Sequence, residues 1–324
     1  MLSSILHVFG TLTPIYAILA LGAWFRHTGF MSASLATGLN KLVFNVALPC
    51  FIVRSIANAP VATGWEQAAL ALVGGTIAVA ASAWIFAPAM GISRASRPSF
   101  CQSAFRSNNA YIGIPVMQFA FSGRPDIGEM SSLAMLTLAP CLILYNVMAV
   151  IILTKADNAS SPAQRIAKVA CGMLKNPLIL ASVTGVALLF LRIRFGLALP
   201  TPIDKSVKTI GDMATPGSII ALGASLTPAI LRANLRGAHW TALLKLVAAP
   251  LFGLAFCLAL SLPPLHRFVV VCYLACPSAV ASFVMAQAMG GDADIAGSSV
   301  ALTTIYSFLS LSAVLLLAMP PVPI

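Results

Sequence analysis

SNNAYIGIPV (residues 107–116) and LACPSAVASF (residues 274–283) each set a proline, Pro115 and Pro277, deep inside an apolar stretch. A proline within a helix removes a backbone N–H and its ring clashes with the preceding turn, so the helix breaks there. In hydrocarbon such a break is tolerated only where the freed polar groups face protein or a water-filled cavity. Paired interruptions at corresponding places in two halves of a chain point to the binding site of a secondary transporter. Two conditions follow: the chain must live in a membrane, and its halves must correspond.

Composition meets the first. Of 324 residues, 59% are hydrophobic and only 8% are charged, whereas a soluble domain carries about a quarter charged residues. The formal net charge of +11 is no sign of nucleic acid here. The basic residues are scattered singly or in pairs over connecting loops, where they set topology and meet anionic lipid headgroups. The first ten residues hold no Lys or Arg and the apolar run continues to Phe25. A cleaved signal peptide wants a basic start, so an uncleaved first span is expected. The seven cysteines fall mostly in apolar segments without metal-ligand spacing and read as small packing residues. No cofactor is implied.

A span needs roughly 20 mostly apolar residues. Turn signals cut the chain into spans at 8–25, 36–57, 67–90, 99–121, 131–154, 174–193, 206–228, 239–261, 267–289 and 295–318. The most polar stretch, KADNASSPAQR (155–165), divides them near the middle. Pro14 and Pro177 lie 163 residues apart, Pro49 and Pro216 167, and Pro115 and Pro277 162. PDIGEMSSLAMLT (125–137) resembles ADIAGSSVALTT (293–304), at an offset of 168. Five spans per half is an odd number, so the second copy is expected to be inverted relative to the first. The expected fold is therefore an all-α polytopic membrane protein of ten helices in two inverted repeats, 1–160 and 161–324, with helices four and nine broken. Odd-numbered connections carry ten Lys and Arg against seven in the even-numbered ones. That places the central linker inside and both termini outside the cytoplasm.

LNKLVFNVALPCFIVRSIA (39–57), FRSNNAYIGIPV (105–116), NPLIL (176–180), ALGASL (221–226) and PSAVASFVMAQAMGGD (277–292) resemble the auxin efflux carrier family. That family includes the plant PIN carriers and bacterial permeases, some proposed to move malate or malonate. The resemblance covers essentially the whole chain, although the long cytosolic loop of the plant proteins is missing. It implies a scaffold of helices 1, 2, 6 and 7 (1–60 and 170–230) and a mobile transport bundle (61–160 and 231–324). It also implies broken helices crossing near Pro115 and Pro277, a homodimer joined through the scaffold, and residence in the cell's inner (plasma) membrane.

Asn108 and Asn109 precede the first proline by six or seven residues. An amide can donate to a carboxylate and accept from a backbone terminus, but polar side chains in bundles also serve as interhelical glue. Gly113 allows unusual backbone conformations and close helix approach. Pro115 and Pro277 are expected to start half-helices whose free N–H groups and positive dipole ends face an anion, with Ser278 as a cap or further donor. Arg106 carries a charge that costs roughly 2.5–3.5 kcal/mol at a helix centre. It either pairs with a substrate carboxylate or snorkels to the headgroups. Lys245, early in helix eight, reads as a snorkelling residue. Asn45 either lines the wall opposite the crossing or bridges helices. Tyr145, Asn146, Ser282, Gln287 and Tyr306 are further lining candidates.

None of the eight acidic residues sits in the middle of helices four, five or nine; Asp212, in the first part of helix seven, is the arguable exception. Carriers coupled to protons or sodium rely on buried carboxylates to bind and release the cation. The expectation is a secondary transporter of small organic anions working by alternating access, with membrane lipids as its other partners. The alternative is a sodium-coupled symporter of bile-acid-like acids. An intramembrane enzyme is disfavoured because no HExxH, paired-Asp or Ser/Lys arrangement appears in the spans. A transporter-like receptor would need a signalling domain that the sequence does not contain.

Overall fold

The computed structural model describes residues 2–58, 64–153 and 177–321. The linker at 155–165 lies outside the described residues, as do the basic residues Lys168 and Lys175 that follow it. All regular structure among the described residues is helical. In chain order the helices are α1 (Leu2–His27), α2 (Ala33–Leu42), α3 (Leu48–Ala57), α4 (Trp65–Phe86), α5 (Arg97–Phe105), α6 (Ile114–Ala120), α7 (Ile127–Leu153) and α8 (Pro177–Phe195). They continue with α9 (Thr201–Gly211), α10 (Ala214–Ser225), α11 (Pro228–Arg232), α12 (Leu235–Leu243), α13 (Ala249–Ala259), α14 (Pro264–Ala275), α15 (Val280–Ala288) and α16 (Ala293–Ala318).

Among the described residues, six stretches are long and apolar enough to cross a membrane: Val8–His27, Ala33–Arg54, Trp65–Phe86, Ile127–Leu153, Leu235–Ala259 and Ala293–Ala318. Their outward faces are apolar as well; Ile85, Leu251 and Leu309 are each more than half exposed, and Leu317 is 87% exposed. A water-soluble surface would not carry such a band, and lipid tails solvate it without penalty. This is a multi-pass membrane protein.

Prolines shape the long helices in a repeated way. Five-residue π turns occur at Val43–Ala47, Asn109–Gly113 and Leu244–Ala248. Two residues after each comes a proline, Pro49, Pro115 or Pro250, at the start of the resumed α-helix. The wider i→i+5 turn removes the need for the missing N–H and moves the carbonyl four residues back away from the ring. These helices therefore continue past their prolines.

This corrects the expected break at Pro115. In the first half the chain leaves helical geometry at Arg106–Asn108, between α5 and the π turn. In the second half the interruption spans 276–279, between α14 and α15, and contains Pro277 itself. The residues that correspond in space are Ser107 and Ser278, which form an antiparallel bridge. The two prolines are not equivalent.

Packing brings α1 against α10 and α3 against α8, while α4 lies against both α7 and α13, and α12 lies on α16. The α1–α10 pair approaches backbone to backbone. A Cβ on Gly22 would run into the Ile220 carbonyl, and one on Gly223 into the Leu19 carbonyl. Small residues permit this approach, which lets dispersion hold helices together where no hydrophobic effect acts between them. Replacing Gly223 by Val should cost about 1–3 kcal/mol through overpacking, read as a lowered thermal midpoint in detergent. Gly38→Ala is the control, because that position has open space around it.

Candidate functional site

A broken helix frees carbonyls at one end and N–H groups at the other, and each needs a partner away from water. The two breaks supply some of these to each other, and side chains supply others. Asn108 N donates to Pro277 O at 2.7 Å, and Ala279 N donates to Arg106 O at 2.9 Å. These two bonds flank the Ser107–Ser278 bridge and tie the segments into a short antiparallel crossing. The carbonyl of Ser103, which a continuous α5 would offer to Ser107 N, accepts instead from Ser278 Oγ at 2.6 Å. Ser278 N donates to Thr303 Oγ1 on α16 at 3.0 Å. The carbonyl of Leu274, which a continuous α14 would offer to Ser278 N, accepts from Lys245 Nζ at 2.9 Å.

Beside the crossing is a cavity of about 400 Å³. The first turns of both resumed half-helices line it through Asn109, Ala110, Tyr111, Val280 and Ala281. N–H groups in a first turn have no intrahelical acceptor, and the dipole there is positive. Arg106, Ser107 and Asn108 contribute from the first break. Tyr145 and Asn146 on α7 form another side, and Thr37, Asn40 and Asn45 face the crossing from α2 and its π turn. Tyr111 reaches across to this last wall, donating to Asn40 Oδ1 at 2.8 Å.

The polar groups of the cavity are incompletely satisfied. Arg106 is 7% exposed, and its guanidinium touches Asn146 Oδ1 and Met285 Sδ, both at 3.1 Å. No carboxylate forms an ion pair with it among the described residues. Asn109 Nδ2 meets Tyr145 Oη at 3.4 Å, while its Oδ1 and the Nδ2 of Asn108 are buried without a hydrogen-bond partner. An unpaired buried donor costs about 1–3 kcal/mol, and here it lies in the same cavity lining as the Arg106 guanidinium.

The family model described as "Membrane transport protein" matches residues 7–315. The chain belongs to this family. An "Uncharacterized transporter" of Methanothermobacter thermautotrophicus is 24% identical over 311 residues, which cover 93% of this chain and 95% of the relative. The resemblance to auxin efflux carriers read from the sequence thus holds along nearly the full length.

Within this membrane transport protein, the cavity gathers Asn45, Arg106, Asn108, Asn109 and Asn146 from the residues singled out in the sequence, together with Tyr145. Arg106 does not snorkel, because it stands at the break and turns into the cavity. Gly113 has an ordinary helical φ of −61°, so the unusual backbone conformation expected of it is absent, whereas the close approach is present: a Cβ there would stand 2.9 Å from the Tyr273 ring and 3.0 Å from Cys276 Sγ. Three further expectations are corrected. Pro115 is buried in α6 and outside the cavity lining. Pro277 lends a carbonyl to the crossing and does not begin a half-helix. Ser278 spends both its donors on protein.

Among the lesser candidates, Ser282 is buried away from the cavity, and Tyr306 lines a separate apolar groove beside His239. The side chain of Gln287 lies outside the described residues. Asp212 is exposed and paired with Lys208 at 2.7 Å. Lys245 was missed: it does not snorkel but is fully buried under the crossing. Its place within an apolar run, five residues before Pro250, was the one feature visible in the sequence.

Ser278→Ala should strand the Ser103 carbonyl and lower stability by about 1–3 kcal/mol, measured by thermal unfolding in detergent. Ser206→Ala, on the exposed surface of α9, should leave the midpoint unchanged.

Proposed function

We propose that this protein is a secondary transporter of small organic anions, holding a carboxylate in the cavity beside the helix crossing and working by alternating access. The observation that carries the reading is a buried guanidinium with no carboxylate partner among the described residues, set beside the unpaired Nδ2 of Asn108 and two half-helix N-terminal turns. Arg106 supplies charge, Asn108 and Asn109 supply directed hydrogen bonds, and the terminal N–H groups complete the anion's coordination.

The ten-helix inverted-repeat architecture belongs to the same proposal. Its support is that helix pairings recur between the halves. The packing of α1 on α10 is answered by α8 on α3, and that of α5 on α16 by α14 on α7. In this arrangement helices 1, 2, 6 and 7 are the scaffold, and the remainder is the moving bundle. Asn40 and Asn45 face the anion from the scaffold, and the Tyr111–Asn40 bond is remade as the bundle moves. The protein sits in the inner (plasma) membrane as a homodimer, with both termini outside the cytoplasm.

The test is uptake by proteoliposomes screened with malate, malonate, other short carboxylates and indole-3-acetate. A monovalent anion crossing alone couples to the membrane potential by about 2.3 kcal/mol per 100 mV. Flux should therefore follow a valinomycin-clamped potential, and flux of no carboxylate under any potential would refute the proposal.

For a transported anion, Asn108→Ala should weaken binding by about 1–3 kcal/mol, the usual loss for a hydrogen bond to a charged group. Arg106→Met should weaken it further, and calorimetric titration of the purified variants checks both. Unchanged affinity with lowered thermal stability would make the Asn pair interhelical glue.

A further inference from the structure

The C-terminal ends of the two interrupted helices, α5 and α14, are bridged by one side chain, whereas the half-helix N-terminal turns line the cavity. Each helix C-terminus carries the equivalent of about half a negative charge on its unsatisfied carbonyls. Where secondary transporters break helices, such carbonyls and C-terminal ends are where a coupling cation binds. In this chain the place is taken. Lys245 Nζ lies 2.9 Å from Leu274 O, at the end of α14, and 2.5 Å from Ser107 Oγ, just beyond the end of α5. Its π turn, Leu244–Ala248, carries the side chain into the interior, where it is fully buried. Among the described residues no carboxylate forms an ion pair with it. A hydroxyl and a backbone carbonyl are also the oxygen donors that a hard metal cation takes.

We infer that the Lys245 ammonium is a resident cation of the crossing, standing where a transporter built this way would bind sodium, so that anion transport needs no inorganic cation. A lysine buried without a counter-ion is costly, and the two helix C-termini offset that cost. The charge also serves the anion. Ser107 accepts from Lys245 and lines the cavity, so the ammonium polarises the hydroxyl of a cavity-lining residue. Lys245 is thus a positioning residue, acting through Ser107 and through the fixed geometry of the two breaks. Arg106 faces the cavity directly, and the two cations divide the work between the helix C-termini and the cavity.

The inference rests on the anion-carrier reading, but its first test does not. Purified wild-type protein and Lys245→Ala are unfolded thermally in choline chloride, sodium chloride and methylammonium chloride at equal ionic strength. Wild type should have one midpoint in all three, whereas the variant should be destabilised in choline and recover in sodium or methylammonium.

The second test uses malonate, or the carboxylate that wild type transports best, in proteoliposomes with the same three cations. Wild-type flux should be equal in all of them. The variant should lose roughly ten- to hundredfold in choline, as expected for losing a charged hydrogen-bonding group, and regain flux with sodium or methylammonium. A merely structural cap would not create a dependence on a soluble cation.

Wild-type flux that stops without sodium overturns the inference, as does a variant equally active in choline or one inactive in all three salts. If the variant cannot be purified, the wild-type arms decide: a midpoint raised by sodium or a sodium-dependent flux overturns the inference, and indifference to sodium supports it. Absence of wild-type flux for every carboxylate is a separate result, which removes the anion-carrier reading and leaves the thermal test standing.

Discussion

The two backbone hydrogen bonds between the interrupted helices, Asn108 N to Pro277 O and Ala279 N to Arg106 O, are the constraint on which the rest of the structure depends. Non-helical backbone inside an apolar bundle leaves polar groups that water cannot reach, each costing several kcal/mol if unpaired. One break alone would have to find all its partners among side chains. Two breaks laid antiparallel share two backbone bonds, and side chains take other groups: Ser278 the Ser103 carbonyl, Lys245 the Leu274 carbonyl, Ser310 the Ala275 carbonyl and Thr303 the Ser278 N–H. The short bridge then fixes where four helix ends lie. The cavity, the direction of its dipoles and the burial of Lys245 follow from that placement.

Charge is distributed over the crossing with a definite polarity. Helix C-termini gather where Lys245 is enclosed, and half-helix N-termini gather where the cavity lies beside Arg106. A cation at the negative ends and an anion site at the positive ends are each favoured by the macrodipole. The absence of a neighbouring carboxylate from both cationic groups, among the described residues, keeps them from being neutralised inside the protein. The Asn146 amide oxygen and the Met285 thioether hold the Arg106 guanidinium beside the cavity.

Proline has two separate uses in this fold. Pro49, Pro115 and Pro250 each follow a π turn, and the helix continues past them. Pro277 lies inside the extended segment and offers its carbonyl to Asn108. The same residue type at similar depth in an apolar stretch therefore means different things, and the neighbouring turn decides which. The π turns also widen the helix locally and re-aim the residues they contain. Asn45, Asn109 and Lys245 all sit on such turns, and all three face the crossing or its cavity.

The sequence by itself determined that this chain is helical, multi-pass and built for transport, because hydropathy and the scarcity of charge are local properties summed along the chain. It also marked the polar residues of the first break, since Arg106, Asn108 and Asn109 are conspicuous against an apolar background. What it could not give was pairing. The offset between Pro115 and Pro277 suggested one correspondence, whereas Ser107 and Ser278 are the residues that meet. Register between segments about 170 residues apart is set by backbone hydrogen bonds that leave no periodic trace. Lys245 near a helix start reads as a headgroup anchor in one dimension. Only the tertiary structure brings it under two helix ends, where the Leu274 carbonyl and the Ser107 hydroxyl accept from a buried ammonium that the sequence would leave unpaired.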